Sequence, residues 1–251
     1  MPGLNQKVAV ITGASSGIGR AMAKLFASEG AKVVVNYCKS SASSNDLVEE
    51  ITQGGGEAIA LQADMSRVDD INSLIARTIR EWGKIDIWIN NAGADILTGA
   101  GAKENYQQKL QRLLDVDLTG TMNACWALTP VMKKQGQGII INMSWDYALH
   151  GFPGLNPQMF AAVKAGVQGF SRSFARSAGP EIRVNVLAPG WIQTAFADEV
   201  MEQDYYDARI SEIPLGRFGL PQDVAITALF LASDASSYMT GEVIKINGGL
   251  I

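Results

Sequence analysis

Lys164 stands four residues after Phe160 in the segment MFAAVKAG, residues 159–166. Residues four apart share one face of a helix, so an aromatic ring and an ammonium are set side by side. Were the ring a tyrosine, the pair would be a proton donor, a phenol made more acidic by the cation beside it. Phenylalanine has no proton to give. Other polar groups must then be weighed for that work. SWDYALH (144–150) supplies Ser144, Asp146, Tyr147 and His150, and VDLTG (116–120) supplies Asp117. Tyr147 follows Trp145 by two residues, so in an extended chain both side chains face the same way. That makes Tyr147 the candidate replacement acid, in a role worth about 10²–10⁴-fold in rate.

A second set of residues has the chemistry of phosphate binding. TGASSGIG (12–19) lies where a β-branched run meets a helical stretch. Gly13 permits a tight turn, Gly17 lets backbone approach a pyrophosphate, and Gly19 lets the helix pack against the sheet. With Ser15, Ser16 and Ile18 they surround a helix start whose free N–H groups and dipole favour anions. In a dinucleotide fold, an acid at the end of the second strand would hold a ribose hydroxyl. Here NYCKSS (36–41) has no acid and carries Lys39 instead. Asn36, Tyr37, Lys39 and Ser40 are the candidate residues there. A cation and hydroxyls suit a 2′-phosphate, so the expected cofactor is NADP(H), with NAD(H) less favoured.

The elements that must position these residues alternate along the whole chain. KVAVIT (7–12), AKVVVNY (31–37), EAIALQAD (57–64), IDIWINNAG (85–93), GIIINMS (138–144), IRVNVLAPG (182–190) and EVIKIN (242–247) read as strands. Helical patterns follow over 17–29, 43–53, 68–82, 104–134, 157–177 and 221–232, with Asn156 as the expected N-cap before Pro157. The strands are continuous apolar runs, the mark of a parallel sheet covered on both faces. The expected fold is α/β, a single Rossmann-like doubly wound parallel sheet with helices on both faces, forming one domain over 1–251. The segment 191–220 reads as irregular.

Composition excludes several functions. Of 251 residues, 47% are hydrophobic and 18% charged, and the net charge is −4 without any block of like charge. Neither nucleic acid nor a membrane surface is an expected partner. No apolar run reaches the roughly 18 residues of a membrane span, and the N-terminus lacks a secretory pattern. Cys38 and Cys125 make no metal spacing, and His150 is the only histidine, so no metal site and no Ser–His–Asp triad is expected. The reading is a cytoplasmic protein with free thiols.

These motifs in this order resemble the short-chain dehydrogenase/reductase family of the classical type, over essentially the whole chain. TGASSGIG (12–19), NNAG (90–93), GIIINMS (138–144), FAAVKAG (160–166), NVLAPGWIQTAF (185–196) and YMTGEVIKINGG (238–249) carry the resemblance. It implies that Asp64, with Met65, lies beside the adenine, and that Asn91, Ala92 and Gly93 line the cofactor cleft. It implies further that Pro189, Gly190, Ile192 and Thr194 hold the nicotinamide, that Lys164 binds its ribose, and that 191–220 covers the substrate. A homotetramer or homodimer is implied too, through the long helices and the C-terminal end.

The family's catalytic asparagine, serine, tyrosine and lysine are not all present. Asp117 stands at the asparagine position and Trp145 at the serine position, with Ser144 one residue earlier. Phe160 stands at the tyrosine position, and only Lys164 is retained. A one-residue slip in extended chain points a side chain the opposite way. Three readings remain. The acid has moved, to Tyr147. Or the small-molecule substrate, an imine or enone rather than a simple carbonyl, needs no strong acid, and a pocket walled by Trp145, Phe160 and Trp191 suits a cationic or aromatic body. Or the protein binds NADP(H) without turnover, as a sensor or an oligomeric scaffold.

Overall fold

The computed structural model describes residues 3–194, 197 and 200–251. Ala195 and Phe196, inside one quoted motif, and Asp198 and Glu199, within the segment 191–220, lie outside the described residues. The strands are β1 (Val8–Ile11), β2 (Lys32–Tyr37), β3 (Glu57–Gln62), β4 (Ile87–Asn90), β5 (Gly138–Met143), β6 (Ile182–Pro189) and β7 (Val243–Ile246). They form one sheet in the order β3-β2-β1-β4-β5-β6-β7, and every neighbouring pair is parallel.

The helices are α1 (Gly17–Ser28), α2 (Ser41–Gln53), α3 (Val68–Trp82), α4 (Gly99–Ala102), α5 (Tyr106–Leu113), α6 (Thr121–Gln135), α7 (Leu155–Ala178), α8 (Gln203–Glu212) and α9 (Pro221–Ala232). Consecutive strand residues go to opposite layers. Ala9, Ile11, Val33, Val35, Ile87 and Ile89 pack in one core with Met22 and Phe26 of α1 and Val224 of α9. Val10, Val34, Trp88 and Ile140 pack in the other with Ile71 and Leu74 of α3 and Leu128 of α6. Both faces of the inner strands β1, β2, β4, β5 and β6 are therefore largely buried, which is why those strands read as unbroken apolar runs. At 25 cal/mol per Å², one fully buried Ile or Leu side chain contributes about 1.5–3 kcal/mol.

The sheet order reverses between β1 and β4. Crossovers leave in opposite directions there, and the C-terminal ends of the strands open a crevice, the usual ligand position in a doubly wound sheet.

Local differences from the sequence reading fall at helix boundaries. The long stretch 104–134 is interrupted by a π-helical segment, Leu114–Gly120, a type of irregularity frequent at functional sites. α5 begins at a reciprocal cap: the Asn105 side chain accepts from the Gln108 backbone N–H and the Gln108 side chain accepts from the Asn105 N–H. α7 starts at Leu155, not Pro157, and its N-cap is Gly154 at φ 114°. Asn156 lies inside the first turn. The reading of 191–220 as irregular missed α8. Among the described residues, no helix is long and apolar enough to cross a membrane.

Candidate active site

The crevice is a cavity of about 750 Å³ at the ends of β1, β4, β5 and β6. Its floor is the turn between β1 and α1. Gly13 has φ +61°, and a Cβ there would lie 2.8 Å from Ala92 Cα. At Gly19 a Cβ would lie 2.5 Å from the Gly13 carbonyl. Neither position accepts a larger residue, so the turn and α1 press against β4. Thr12, not singled out from the sequence, fastens this contact: its hydroxyl accepts from the N–H groups of Asn91 and Ala92, both at 2.9 Å. The Asn91 side chain donates to the carbonyls of Thr12 and Gly13. Ser16, Ile18, Asn91 and Gly93 line the cavity. An added Cβ on Gly17 would meet only Thr194, 3.7 Å away, so the cradle at the α1 N-terminus is open. Shape and donor set fit a pyrophosphate.

At the end of β2 one expectation is corrected. Asn36 is 1% exposed, and its amide is consumed inside the protein. Oδ1 accepts from the Gly13 N–H at 3.2 Å, while Nδ2 donates to the carbonyls of Leu61 and Ala63, each at 3.2 Å. It ties the glycine turn to β2 and β3 and has no group left for a ribose. Met65 is likewise buried in the second core. Lys39 is exposed, beside a shallow hollow with Cys38, Gln62, Asp64, Arg67 and Asp70. Burial pushes the Asp64 carboxyl up, but hydrogen bonds from the Ser66 N–H and hydroxyl outweigh it and hold the group below its usual range.

The far wall is built from the π segment, β5 and α7. Lys164 and Asp117 are 5% and 2% exposed, and they form an ion pair of 2.9 Å between Nζ and Oδ2. Asp117 Oδ1 accepts from the Ala94 N–H at 2.7 Å. Oδ2 has no hydrogen bond beyond this ion pair. The ammonium also donates to the Met143 carbonyl at 3.2 Å and lies 5.3 Å from the Phe160 ring centroid. The π segment turns Asp117 inward to meet the lysine. The aspartate thus holds Lys164 directly and neutralises it.

Ser144 and Trp145 diverge as the one-residue slip predicts. The Ser144 hydroxyl donates to the Lys164 carbonyl at 3.0 Å and accepts from the Gln168 amide at 2.9 Å. Gln168 also reaches the Trp145 carbonyl, at 3.3 Å. The serine is spent on tying β5 to α7. Trp145 faces the cavity, where its ring meets Phe160 edge-on at 5.3 Å.

The placement of Tyr147 corrects the reading of 144–150 as extended. Trp145 is extended, but Asp146–Leu149 curls at once into a 3₁₀ turn. The alternation argument fails after Trp145. Tyr147 packs against Trp145 and Phe152 at 5.5 and 5.2 Å and is not among the residues lining the cavity. Burial and the carboxylates of Asp146 and Glu212 raise its phenol pKa, the wrong direction for a proton donor near neutral pH. Asp146 is buried beside Gly190, and burial lifts its carboxyl to about 6 despite hydrogen bonds from Asn247 and the Tyr147 N–H.

The remaining wall is Pro189, Gly190, Trp191, Ile192 and Thr194, faced by Tyr205 of α8. Trp191 stacks on Phe218 at 5.8 Å and meets Phe152 edge-on at 5.9 Å. Among the described residues, its buried indole N–H has no acceptor. α8 is held over the cavity by Arg209, whose guanidinium lies 5.4 Å from the Phe152 ring and 4.9 Å from that of Tyr205. Phe152, Tyr205, Gln168 and Asp95 were not singled out from the sequence.

The chain is similar to known proteins over nearly its whole length. A family model described as enoyl-(acyl carrier protein) reductase matches residues 13–251. A 3-oxoacyl-[acyl-carrier-protein] reductase of Synechocystis sp. is 38% identical over 255 residues, covering 100% of this chain and 99% of the relative. One from Thermotoga maritima is 40% identical over 249 residues, covering 99% of each. Among solved structures, a 7α-hydroxysteroid dehydrogenase complexed with NADH and 7-oxo glycochenodeoxycholic acid superposes with a TM-score of 0.89 at 32% identity. That match covers 98% of this chain and 95% of the other.

Proposed function

The chain belongs to the short-chain dehydrogenase/reductase family, and from that premise we propose that it is an NADP(H)-dependent reductase of a small carbonyl, imine or enone substrate. The observation that carries the reading is an intact cofactor cleft whose proton-donor position is a phenyl ring. When bound, the reduced nicotinamide supplies a hydride. Gly13, Ser15, Ser16, Gly17, Ile18 and Gly19 hold the pyrophosphate, with Thr12 and Asn91 fixing the turn. Asp64 lies on the adenine side. Asn91, Ala92, Gly93, Pro189, Gly190, Ile192 and Thr194 border the nicotinamide, and Lys164 orients its ribose. The preference for the 2′-phosphate rests on exposed Lys39, with Tyr37 and Ser40 near it and no carboxylate at the end of β2. Arg67, on the rim of the same hollow, adds a second cation. The 3-oxoacyl relatives favour a carbonyl or conjugated carbonyl substrate.

The whole chain acts as one dinucleotide-binding domain, and 191–220, with α8, covers the substrate. With Tyr147 turned into the aromatic cluster and Ser144 spent on α7, neither hydroxyl that the sequence offered beside Phe160 is free. The site therefore acts on acceptors that need no strong acid. Self-association into a homodimer or homotetramer is supported by half-exposed Trp126 and the apolar hollow it shares with Pro130, Phe170 and Phe174 on α6 and α7. Free Cys38 and Cys125 suit a cytoplasmic setting.

Fluorescence titration with NADPH and NADH, followed by absorbance assays against carbonyls, imines and enones, tests this. Tighter NADPH binding and turnover of one acceptor class are expected. Tight NADPH binding without turnover of any class would leave the binder reading, which the missing hydroxyl also favours.

A further inference from the structure

Among the described residues, three charged side chains line the cavity: Asp95, Asp117 and Lys164. Asp117 and Lys164 cancel each other through their buried ion pair. Asp95 is left. Burial acts to raise its pKa, but bonds from the Thr98 hydroxyl and the N–H groups of Thr98 and Leu97 prevail and keep it ionised. Among the described lining side chains, the charge outside the ion pair is therefore negative.

The rest of the wall is aromatic: Trp145, Phe152, Phe160, Trp191 and Tyr205. Three of these rings already face cations of the protein. Lys164 lies over Phe160, and Arg209 lies over Phe152 and Tyr205. Among the described residues no cation lies over Trp145 or Trp191, although the indole is the ring that binds positive charge best. Each ring face that closes on a desolvated cation is worth about 2- to 30-fold in affinity.

We propose, building on the reductase reading above, that the substrate of this cleft is already a cation when it binds, an iminium on a conjugated or aromatic body, and that Asp117 selects it by neutralising Lys164. A ketone carbon that accepts a hydride leaves an alkoxide, which needs a proton and a hydrogen-bond donor. Phe160 has neither, Ser144 is occupied, Asp117 only accepts, and the phenol ring of Tyr205 is on α8, packed against Trp191 and Arg209. An iminium carbon that accepts a hydride from the reduced nicotinamide forms one C–H bond. Its C=N π pair becomes the nitrogen lone pair, the nicotinamide is oxidised, and no proton is required. The positive charge rests on the ring faces before the step and is gone from the substrate after it. An unpaired lysine in the same wall would repel such a substrate.

Binding tests the charge claim apart from turnover. Tryptophan fluorescence and calorimetry would compare a quaternary tetrahydroisoquinolinium with its neutral all-carbon isostere. About tenfold or tighter binding of the cation is expected; equal or weaker binding overturns the inference. Asp117→Asn should lower affinity for the cation about tenfold relative to that for the neutral isostere, and Trp145→Leu should do so without touching the ion pair. Unchanged affinity in both overturns it. In turnover, an N-methyl dihydroisoquinolinium should oxidise NADPH, at a rate flat between acidic and mildly basic pH, while the matching ketone should not. Reduction of the ketone alone would overturn the cationic substrate and leave the reductase. Cation binding with neither compound reduced would support the cation site and refute the reductase reading.

Discussion

Removing either member of the Asp117–Lys164 pair should destabilise the fold strongly, and removing both should cost less than the sum. At 2.9 Å and an effective dielectric constant of about 20, the charges attract by roughly 6 kcal/mol. The side chains are 1% and 6% exposed, so both were taken almost wholly out of water and much of that attraction is offset. A single deletion leaves an uncompensated buried charge and is expected to cost about 3–5 kcal/mol. Asp117→Leu also strands the Ala94 N–H, and Lys164→Met frees the Met143 carbonyl. Urea unfolding of Asp117→Leu, Lys164→Met and the double variant, at one protomer concentration, gives the cycle. A coupling of about 3 kcal/mol or more is expected. Additive losses, or single losses under about 1 kcal/mol, would show that the two charges do not depend on each other and that Asp117 does not neutralise Lys164.

Further outcomes can be measured independently. Phe160→Tyr should raise ketone reduction about 100-fold; no gain would mean that Trp145, 5.3 Å away, keeps the substrate oxygen from the new phenol. Tyr147→Phe should change turnover of any accepted substrate by less than about twofold, and a loss of 10²-fold would restore it as the acid. Asp146 has its folded carboxyl lifted from 3.8 to about 6. The folded state then holds the proton more tightly, so stability should fall as pH rises from about 4 to about 6, by up to roughly 3 kcal/mol. Asp146→Asn should flatten that slope, and an unchanged urea-midpoint profile would refute the assignment. A thiol reagent should modify exposed Cys38 in the native protein but spare Cys125, which is buried with its thiol pushed to about 12; fast loss of two thiols would contradict this burial.

The sequence determined the architecture and the chemical inventory. Continuous apolar strands with helices between them dictate a parallel sheet with two covered faces, because side chains alternate between its faces and both must be buried. The glycines of TGASSGIG mark the anion-binding turn, since only a residue without Cβ tolerates its conformation and contacts. The absence of a hydroxyl at Phe160 could also be read directly. What only the tertiary structure decided is where the other polar groups spend their bonds. Asn36 looked free and holds three strand ends together. Ser144 looked adjacent to the chemistry and is bound to α7. Tyr147 turned away because the chain curls immediately after Trp145, and periodicity carries no information across such a bend. Asp117 and Lys164 lie far apart in the chain, in different helical elements, and a π-helical segment brings them to 2.9 Å. Local pattern is set by each element's need to bury one face, whereas the pairing of buried charges is set by how separate elements pack, and that pairing gives this cleft its character.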